Sequence, residues 1–123
     1  GLDDAILIKD NHIAVAGGVQ QAITAARNFA GHLIKIEVEV DTLAQLEEAL
    51  EAKPDVVMLD NMSLEDLHKG VAIVDGSIPI EASGNVNIDT ICDIAETGVD
   101  MISTSKITMS APTLDIGLDI NIR

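Results

Sequence analysis

Short apolar runs alternate with longer amphipathic stretches along the whole chain. The apolar runs are rich in Ile, Val and Leu, and several lack polar alternation, which is typical of strands buried in a parallel sheet. We predict strands at Ala5–Ile8, Ile34–Val40, Val56–Asp60, Ile78–Ser83 and Asp100–Thr104. The last four begin about 22 residues apart. This spacing indicates one structural unit repeated along the chain.

The stretches between these strands carry helix signals. Thr42 and Ser63 each precede leucines at helical spacing and are good N-cap residues. Acidic residues follow Ser63, where the helix dipole favours negative charge. We therefore predict helices over Gly18–Ala30, after Thr42, after Ser63, and over Ile88–Thr97 with Gly98 as its C-terminal glycine.

A strand–helix–strand repeat predicts an α/β fold with right-handed crossovers and a parallel sheet. Five units suit either an open doubly wound sheet or an arc of a barrel. No glycine-rich G-x-G-x-x-G motif follows the first strand, which disfavours a dinucleotide-binding sheet. A closed (β/α) barrel needs about eight units. We predict a partial (β/α) barrel of about five βα units, a fragment of a TIM-like open barrel.

Composition narrows the class of protein. The chain has 7 basic and 21 acidic residues and a net charge of −14, which excludes a basic nucleic-acid or membrane-binding footprint. The single cysteine, Cys92, excludes an internal disulfide framework. No apolar run reaches the roughly 20 residues of a membrane span. We expect a cytoplasmic domain, and the opening Gly1, with no initiator Met, indicates a piece of a longer protein.

Polar residues follow four of the five predicted strands, at the ends where parallel α/β folds place their functional residues. Each has an ordinary interpretation on its own, such as a solvated lysine, a helix cap or a tight turn. Together they suggest an anionic ligand with a divalent cation, because ionised groups are costly to bury unless paired. The candidates are Lys9, Glu37, Glu39, Asp41, Asp60, Ser83-Gly84-Asn85 and Ser105-Lys106.

Several sequence blocks resemble one enzyme family in order and spacing, over essentially the whole chain. The family is quinolinate phosphoribosyltransferase. The blocks are Leu2–His12, Ile36–Val40, Met58–Asn61, Glu81–Gly84, Glu96–Asp100 and Leu114–Gly117. The chain departs from the common family pattern at Asn85 and Ser105, where glycine is usual, and at Met109, where histidine is frequent.

The resemblance implies phosphoribosyl transfer from phosphoribosyl pyrophosphate to quinolinate, with decarboxylation, in NAD biosynthesis. It implies that Lys9, Glu39 and Asp60 are catalytic, and that Glu39 and Asp60 hold Mg²⁺. It also implies that substrates bind to Lys9, Glu39, Asp60, Ser83, Gly84, Asn85, Ser105 and Lys106.

The same resemblance implies that residues 1–123 form the C-terminal part of the barrel domain, without an N-terminal domain and the first barrel strands. We therefore expect the isolated piece to be inactive and the intact protein to be a homodimer or higher homo-oligomer. Two alternatives stay open: a molybdenum-transport-associated paralogue of the same fold, and a non-catalytic excised half-barrel. Neither nucleic acid nor membrane is an expected partner.

Overall fold

The structure is a computed structural model that describes residues 5–9, 13, 16–84, 86–104 and 108–111. Strands and helices alternate through most of this range. In chain order they are β1 (Ala5–Ile8), α1 (Val19–Ala30), β2 (Lys35–Val40), α2 (Leu43–Glu51), β3 (Val56–Asp60), α3 (Leu64–Val74), β4 (Ile80–Ser83), α4 (Ile91–Glu96), β5 (Met101–Ser103) and β6 (Thr108–Ser110).

The strands form one sheet in the order of the chain, β1-β2-β3-β4-β5-β6. The first five pair in parallel, and β6 is antiparallel to β5. A helix connects each parallel pair up to β5, as a parallel connection requires. The predicted partial (β/α) barrel is therefore confirmed as an open α/β sheet of five parallel strands.

One face of the sheet packs against all four helices. The strand residues on this face are aliphatic, and they share a core with buried residues of the helices. They include Ile8, Ile36, Val38, Val40, Val57, Leu59, Ile80, Ala82 and Ile102. The only aromatic residue of the chain, Phe29, is 90% exposed, so this core is aliphatic throughout, as the composition indicates.

Side-chain caps begin two of the helices where the sequence predicts them. Thr42 Oγ1 accepts a hydrogen bond of 3.1 Å from the Gln45 amide, and Ser63 Oγ accepts one of 3.1 Å from the Asp66 amide. Each cap satisfies a backbone donor that the first helical turn leaves without a partner, which is worth about 1 kcal/mol.

Two aspartates tie the amino ends of neighbouring strands together. Asp55 donates its amide to Ile36 O at 2.8 Å and accepts the Ile36 amide at its carboxylate at 2.7 Å. Asp100 does the same with Ile80, at 2.9 and 2.8 Å. Arg27 adds a salt bridge of 2.9 Å to Asp55. These paired bonds fix the register of β2 against β3 and of β4 against β5.

Several predicted elements are shorter by one or two residues in the structure, and two differences are larger. The helix predicted over Ile88–Thr97 covers only Ile91–Glu96, because the Asn87 side chain accepts the amides of Asp89 and Thr90 and holds a turn before it. Strand β6 is not predicted at all, since its three residues carry no clear apolar pattern.

We expect Gly70→Ala to destabilise the protein although alanine favours helices. A Cβ on Gly70 in α3 would lie 2.9 Å from Leu59 Cδ1 and 3.4 Å from Leu46 Cδ2, and both leucines are fully buried. Overpacking costs about 1–3 kcal/mol, which exceeds the roughly 1 kcal/mol gained in helix propensity. Thermal melting measures the difference.

His68→Ala is the matched control, because His68 is exposed on the same helix. It should change the free energy of unfolding by no more than about 0.5 kcal/mol. A Gly70→Ala variant as stable as wild type would show that α3 can move away from the sheet.

Candidate active site

The face of the sheet opposite the helices is polar. In-register partners of a parallel sheet point to the same side, and here alternate residues form rows across neighbouring strands. One row joins Glu39, Met58, Glu81 and Met101, and the next joins Asp60, Ser83 and Ser103. These side chains point away from the aliphatic core, so chemistry-bearing groups from four strands share one surface.

The structure places Lys9, Glu39 and Asp60 toward the carboxyl edge of this surface. Ile8 pairs with Val38, so Lys9 follows the last pair of β1 beside the position of Glu39. Asp60 ends β3 and pairs with Ser83 at the end of β4. Lys9 is exposed, whereas Glu39 and Asp60 are half-buried. The edge therefore combines an ammonium group with two carboxylates within reach of solvent.

The turn after β4 approaches the end of β3 closely. Asn61 donates its amide to Ser83 O at 2.8 Å. Gly84 has a φ of +86°, a conformation that favours glycine, and a Cβ there would lie 3.1 Å from Asn61 N and Cα. The Ser83-Gly84 pair predicted as a phosphate-binding turn is thus packed against the residue that follows Asp60.

Three of the sequence-predicted substrate-binding residues lie outside the described residues. They are Asn85, Ser105 and Lys106. Asp41, one of the acids weighed on β2, lies beyond the end of that strand and is exposed. Asp41 therefore does not continue the line of acidic side chains that Glu37 and Glu39 form along β2.

Two buried carboxyl groups lie on the same face: Glu81 in the row of Glu39, and Glu37 two residues before Glu39 on β2. Glu37 is 6% exposed and Glu81 is 4% exposed. Ser103 Oγ donates a hydrogen bond of 2.7 Å to Glu81 Oε2. Glu37 Oε2 is buried and has no hydrogen-bond partner among the described residues. The sequence argument that ionised acids are costly to bury on this strand applies to Glu37, which is buried on the polar face and not in the aliphatic core.

Burial, together with the nearby Glu81 carboxyl, raises the pKa of Glu37 from 4.5 to about 8. Burial is the larger cause, because it removes the water that stabilises the charged form, and Glu39 adds a smaller repulsion. The repulsion from the Glu81 carboxyl therefore adds to the effect of burial, and Glu37 keeps its proton at neutral pH. The hydroxyl of Ser103 donates its hydrogen bond to Glu81.

The sequence analysis includes Glu37 among the candidate residues but assigns neither Glu37 nor Glu81 a catalytic or binding role. Their spacing to the predicted site residues was the available signal: Glu37 precedes Glu39 by two residues, and Glu81 precedes Ser83 by two. Residues two apart on a strand face the same way. That two acids from β2 and β4 meet across β3 depends on the sheet, and it cannot be read from spacing.

Glu39 and Asp60 offer carboxylate oxygens, the ligand type that Mg²⁺ prefers, and proteins bind this ion through one or two carboxylates with the other oxygens coming from substrate phosphates and water. Within residues 5–9, 13, 16–84, 86–104 and 108–111, no group of three His, Cys, Asp or Glu side chains is arranged as a metal site. The described protein groups therefore supply part of a coordination shell at most.

Among the described helices, none is long and apolar enough to cross a membrane.

The parallel α/β sheet, with helices on one face and ionisable groups at its carboxyl edge, defines the barrel class of enzyme domain. Comparison with known proteins identifies the family. Residues 1–119 match the sequence profile of the quinolinate phosphoribosyl transferase C-terminal domain. The chain belongs to this family.

Similar proteins support this assignment. The chain is 40% identical over 122 residues to a probable nicotinate-nucleotide pyrophosphorylase [carboxylating] of Bacillus subtilis, covering 99% of the chain and 42% of the relative. It is 42% identical over 126 residues to one from Methanocaldococcus jannaschii, covering 97% and 44%. The chain therefore spans about two fifths of the length of the curated relatives that it matches.

A solved structure agrees with the fold. The nicotinate-nucleotide pyrophosphorylase from Francisella tularensis superimposes with a TM-score of 0.79 at 47% sequence identity. The match covers 86% of this chain and 38% of that one. The described sheet and helices therefore match part of a longer chain.

We expect Glu37→Gln to stabilise the metal-free protein at neutral pH. The unfolded chain ionises Glu37 above about pH 4.5, whereas the pKa of about 8 keeps the folded group protonated. The contribution of Glu37 to stability is complete below pH 4.5 and is lost as pH rises through about 8. The loss is roughly 1 kcal/mol per pH unit, and the variant escapes it.

Thermal melts in chelator across this pH range test the expectation. The melting temperature of Glu37→Gln should exceed that of wild type by an amount that grows with pH. Glu47→Gln removes an exposed acid of α2 and should show no such trend. A Glu37→Gln variant that melts lower than wild type at neutral pH would show that Glu37 is ionised and paired in the folded protein.

Proposed function

We propose that the intact protein transfers a phosphoribosyl group from phosphoribosyl pyrophosphate to quinolinate, with decarboxylation, as a pentosyltransferase of NAD biosynthesis. The products are nicotinate mononucleotide, pyrophosphate and CO₂. The observation that carries the proposal is the placement of Lys9, Glu39, Asp60 and Ser83 toward one edge of one sheet face. Family membership and the names of the relatives support the choice of reaction.

In this reaction the quinolinate ring nitrogen forms a bond to the ribose anomeric carbon while the bond from that carbon to pyrophosphate breaks. Positive charge develops on the ribose ring in the transition state. The carboxylates of Glu39 and Asp60 stabilise that charge, because fixed groups aimed at a developing charge need no reorganisation. The Lys9 ammonium binds an anionic group of the substrates.

The phosphate end of the ligand is assigned to the turn after β4. Ser83 offers a hydroxyl on the polar face, and Gly84 lets the backbone come close to a bound group because it has no side chain. Asn85, Ser105 and Lys106 complete this part of the proposed site. Lys106 would add the charge that a strongly acidic chain otherwise lacks.

Glu39 and Asp60 would hold Mg²⁺, the proposed cofactor, which would supply positive charge to neutralise the phosphates and the leaving pyrophosphate. Residues 1–123 would form the C-terminal part of the barrel domain in a longer cytoplasmic protein. We propose that this protein is a homodimer or higher homo-oligomer, and that neither nucleic acid nor membrane is a partner. The separate piece of 123 residues would be catalytically silent.

Glu39→Gln and Asp60→Asn in the intact protein should each lower kcat/KM for phosphoribosyl pyrophosphate by roughly 100-fold or more. Both amides keep the size of the side chain and remove the charge that faces the reacting ribose. Formation of nicotinate mononucleotide, followed by chromatography with added Mg²⁺, measures the loss. Removal of Mg²⁺ by chelation should abolish wild-type turnover, and adding it back should restore activity.

Glu48→Gln is unsuitable as a control because its carboxylate accepts the Val19 amide. Glu47→Gln serves instead, and it should retain wild-type activity. Wild-type activity in Glu39→Gln or Asp60→Asn would remove these acids from the proposed site. An intact protein that does not turn over quinolinate would overturn the proposed reaction.

A further inference from the structure

Asn61 connects the two halves of the candidate site through its backbone. It directly follows Asp60, and its amide donates to Ser83 O at 2.8 Å. Its φ is +58°, in the left-handed region that most residues with a Cβ avoid. Asparagine tolerates this region better than most residues do. The chain turns sharply here, immediately after the acid.

Gly84 meets Asn61 from the other side of the contact. A Cβ built on Gly84 would lie 3.1 Å from Asn61 N, Cα and Oδ1, which is tighter than ordinary packing. A side chain at Gly84 would therefore require Asn61 to shift by a few tenths of an ångström. The left-handed turn at Asn61 and the absence of a Cβ at Gly84 depend on each other.

The Ser83-Gly84 turn has little support on its other side. A cavity of about 100 Å³ lies between this turn and the helices, and its walls include Met62, Leu67 and Ile94. Loosely packed walls provide few contacts to hold a neighbouring segment in place. Beyond the pairing of Ser83 with its neighbours in the sheet, the contact between Gly84 and Asn61 therefore constrains this turn.

We propose that Asn61 is a positioning residue whose left-handed backbone fixes the Ser83-Gly84 turn relative to the Asp60 carboxylate. This inference rests on the proposed function, in which the turn binds the phosphate end of a phosphoribosyl ligand and Asp60 faces its ribose. Asn61 then fixes the distance between the turn that binds the phosphate end and the carboxylate that faces the ribose. The role belongs to the backbone, so any residue that adopts the turn without strain can perform it.

The test compares Asn61→Ala with Asn61→Gly in the intact protein. Alanine disfavours the left-handed conformation and glycine adopts it freely. We expect Asn61→Ala to raise KM for phosphoribosyl pyrophosphate by about tenfold, because small misplacements of binding groups are costly. KM for quinolinate should change little. Asn61→Gly should recover most of the loss.

Asp75→Ala is the matched control. Asp75 also has a left-handed backbone, with a φ of 52°, but it caps the end of α3 at the opposite edge of the sheet. The substitution imposes the same kind of strain away from the site. It should lower the melting temperature as Asn61→Ala does, without changing KM for phosphoribosyl pyrophosphate.

Three kinetic results with these variants would overturn the inference. One is a wild-type KM for phosphoribosyl pyrophosphate in Asn61→Ala, and another is an Asn61→Gly variant as impaired as Asn61→Ala. The third is an Asp75→Ala variant with the same rise in KM. Each would show that the backbone of Asn61 does not position the turn.

Calorimetry with ribose 5-phosphate separates this inference from the proposed reaction. If wild type binds this probe but does not turn over quinolinate, the reaction fails while the inference is still judged by binding to the two Asn61 variants. Weaker binding by Asn61→Ala than by Asn61→Gly supports it. A wild-type protein that binds no ribose 5-phosphate overturns it, because the turn then has no phosphate to position.

Discussion

The parallel register of the sheet is the constraint on which the rest of the structure depends. Because residues two apart share a face, a single register gives one side of the sheet to the aliphatic core and the other to ionisable groups. A slip by one residue in β2 would bury Glu39 among the helices and expose Val38. Asp55 and Asp100 oppose such slips, because each forms a pair of hydrogen bonds at the start of neighbouring strands.

The polar face carries an electrostatic cost that the aliphatic face offsets. Glu37 and Glu81 are both buried, and in the described part of the chain neither forms a salt bridge. The proton that burial keeps on Glu37 and the hydrogen bond from the Ser103 hydroxyl to Glu81 lower that cost. Local instability of this kind is common at functional sites, where charge is placed for ligands rather than for stability.

Much of the fold could be predicted from local sequence, because strand periodicity and helix caps are encoded within a few residues. The strands at Ala5–Ile8 and Val56–Asp60 were predicted with their observed bounds, and Thr42 and Ser63 cap helices as expected. Strand β6 could not be predicted from its own residues, because a short edge strand is stabilised by pairing with its neighbour, here β5. The contact between Glu37 and Glu81 depends on the sheet in the same way.

The candidate site shows the same division between local and long-range information. The order of polar residues along the chain placed Lys9, Glu39 and Asp60 at strand ends, and the family resemblance gave them roles. The sequence carries no comparable signal for the contact between Asn61 and Gly84, because this contact joins two loops through backbone atoms. The conformation of each loop is restricted by its contact with the other loop, whereas the sequence of either loop alone is compatible with many other turns.

The charge of the chain limits how such a site could collect its substrates. With a net charge of −14 and several acids on the polar face, the long-range field repels polyphosphates instead of steering them inward. In the proposed function, binding would then depend on short-range groups that act within a few ångströms: an ammonium, turn amides and the proposed divalent cation. Such groups act only when their spacing matches the ligand, so the geometry of the turn beside Asp60 matters more here than the total charge.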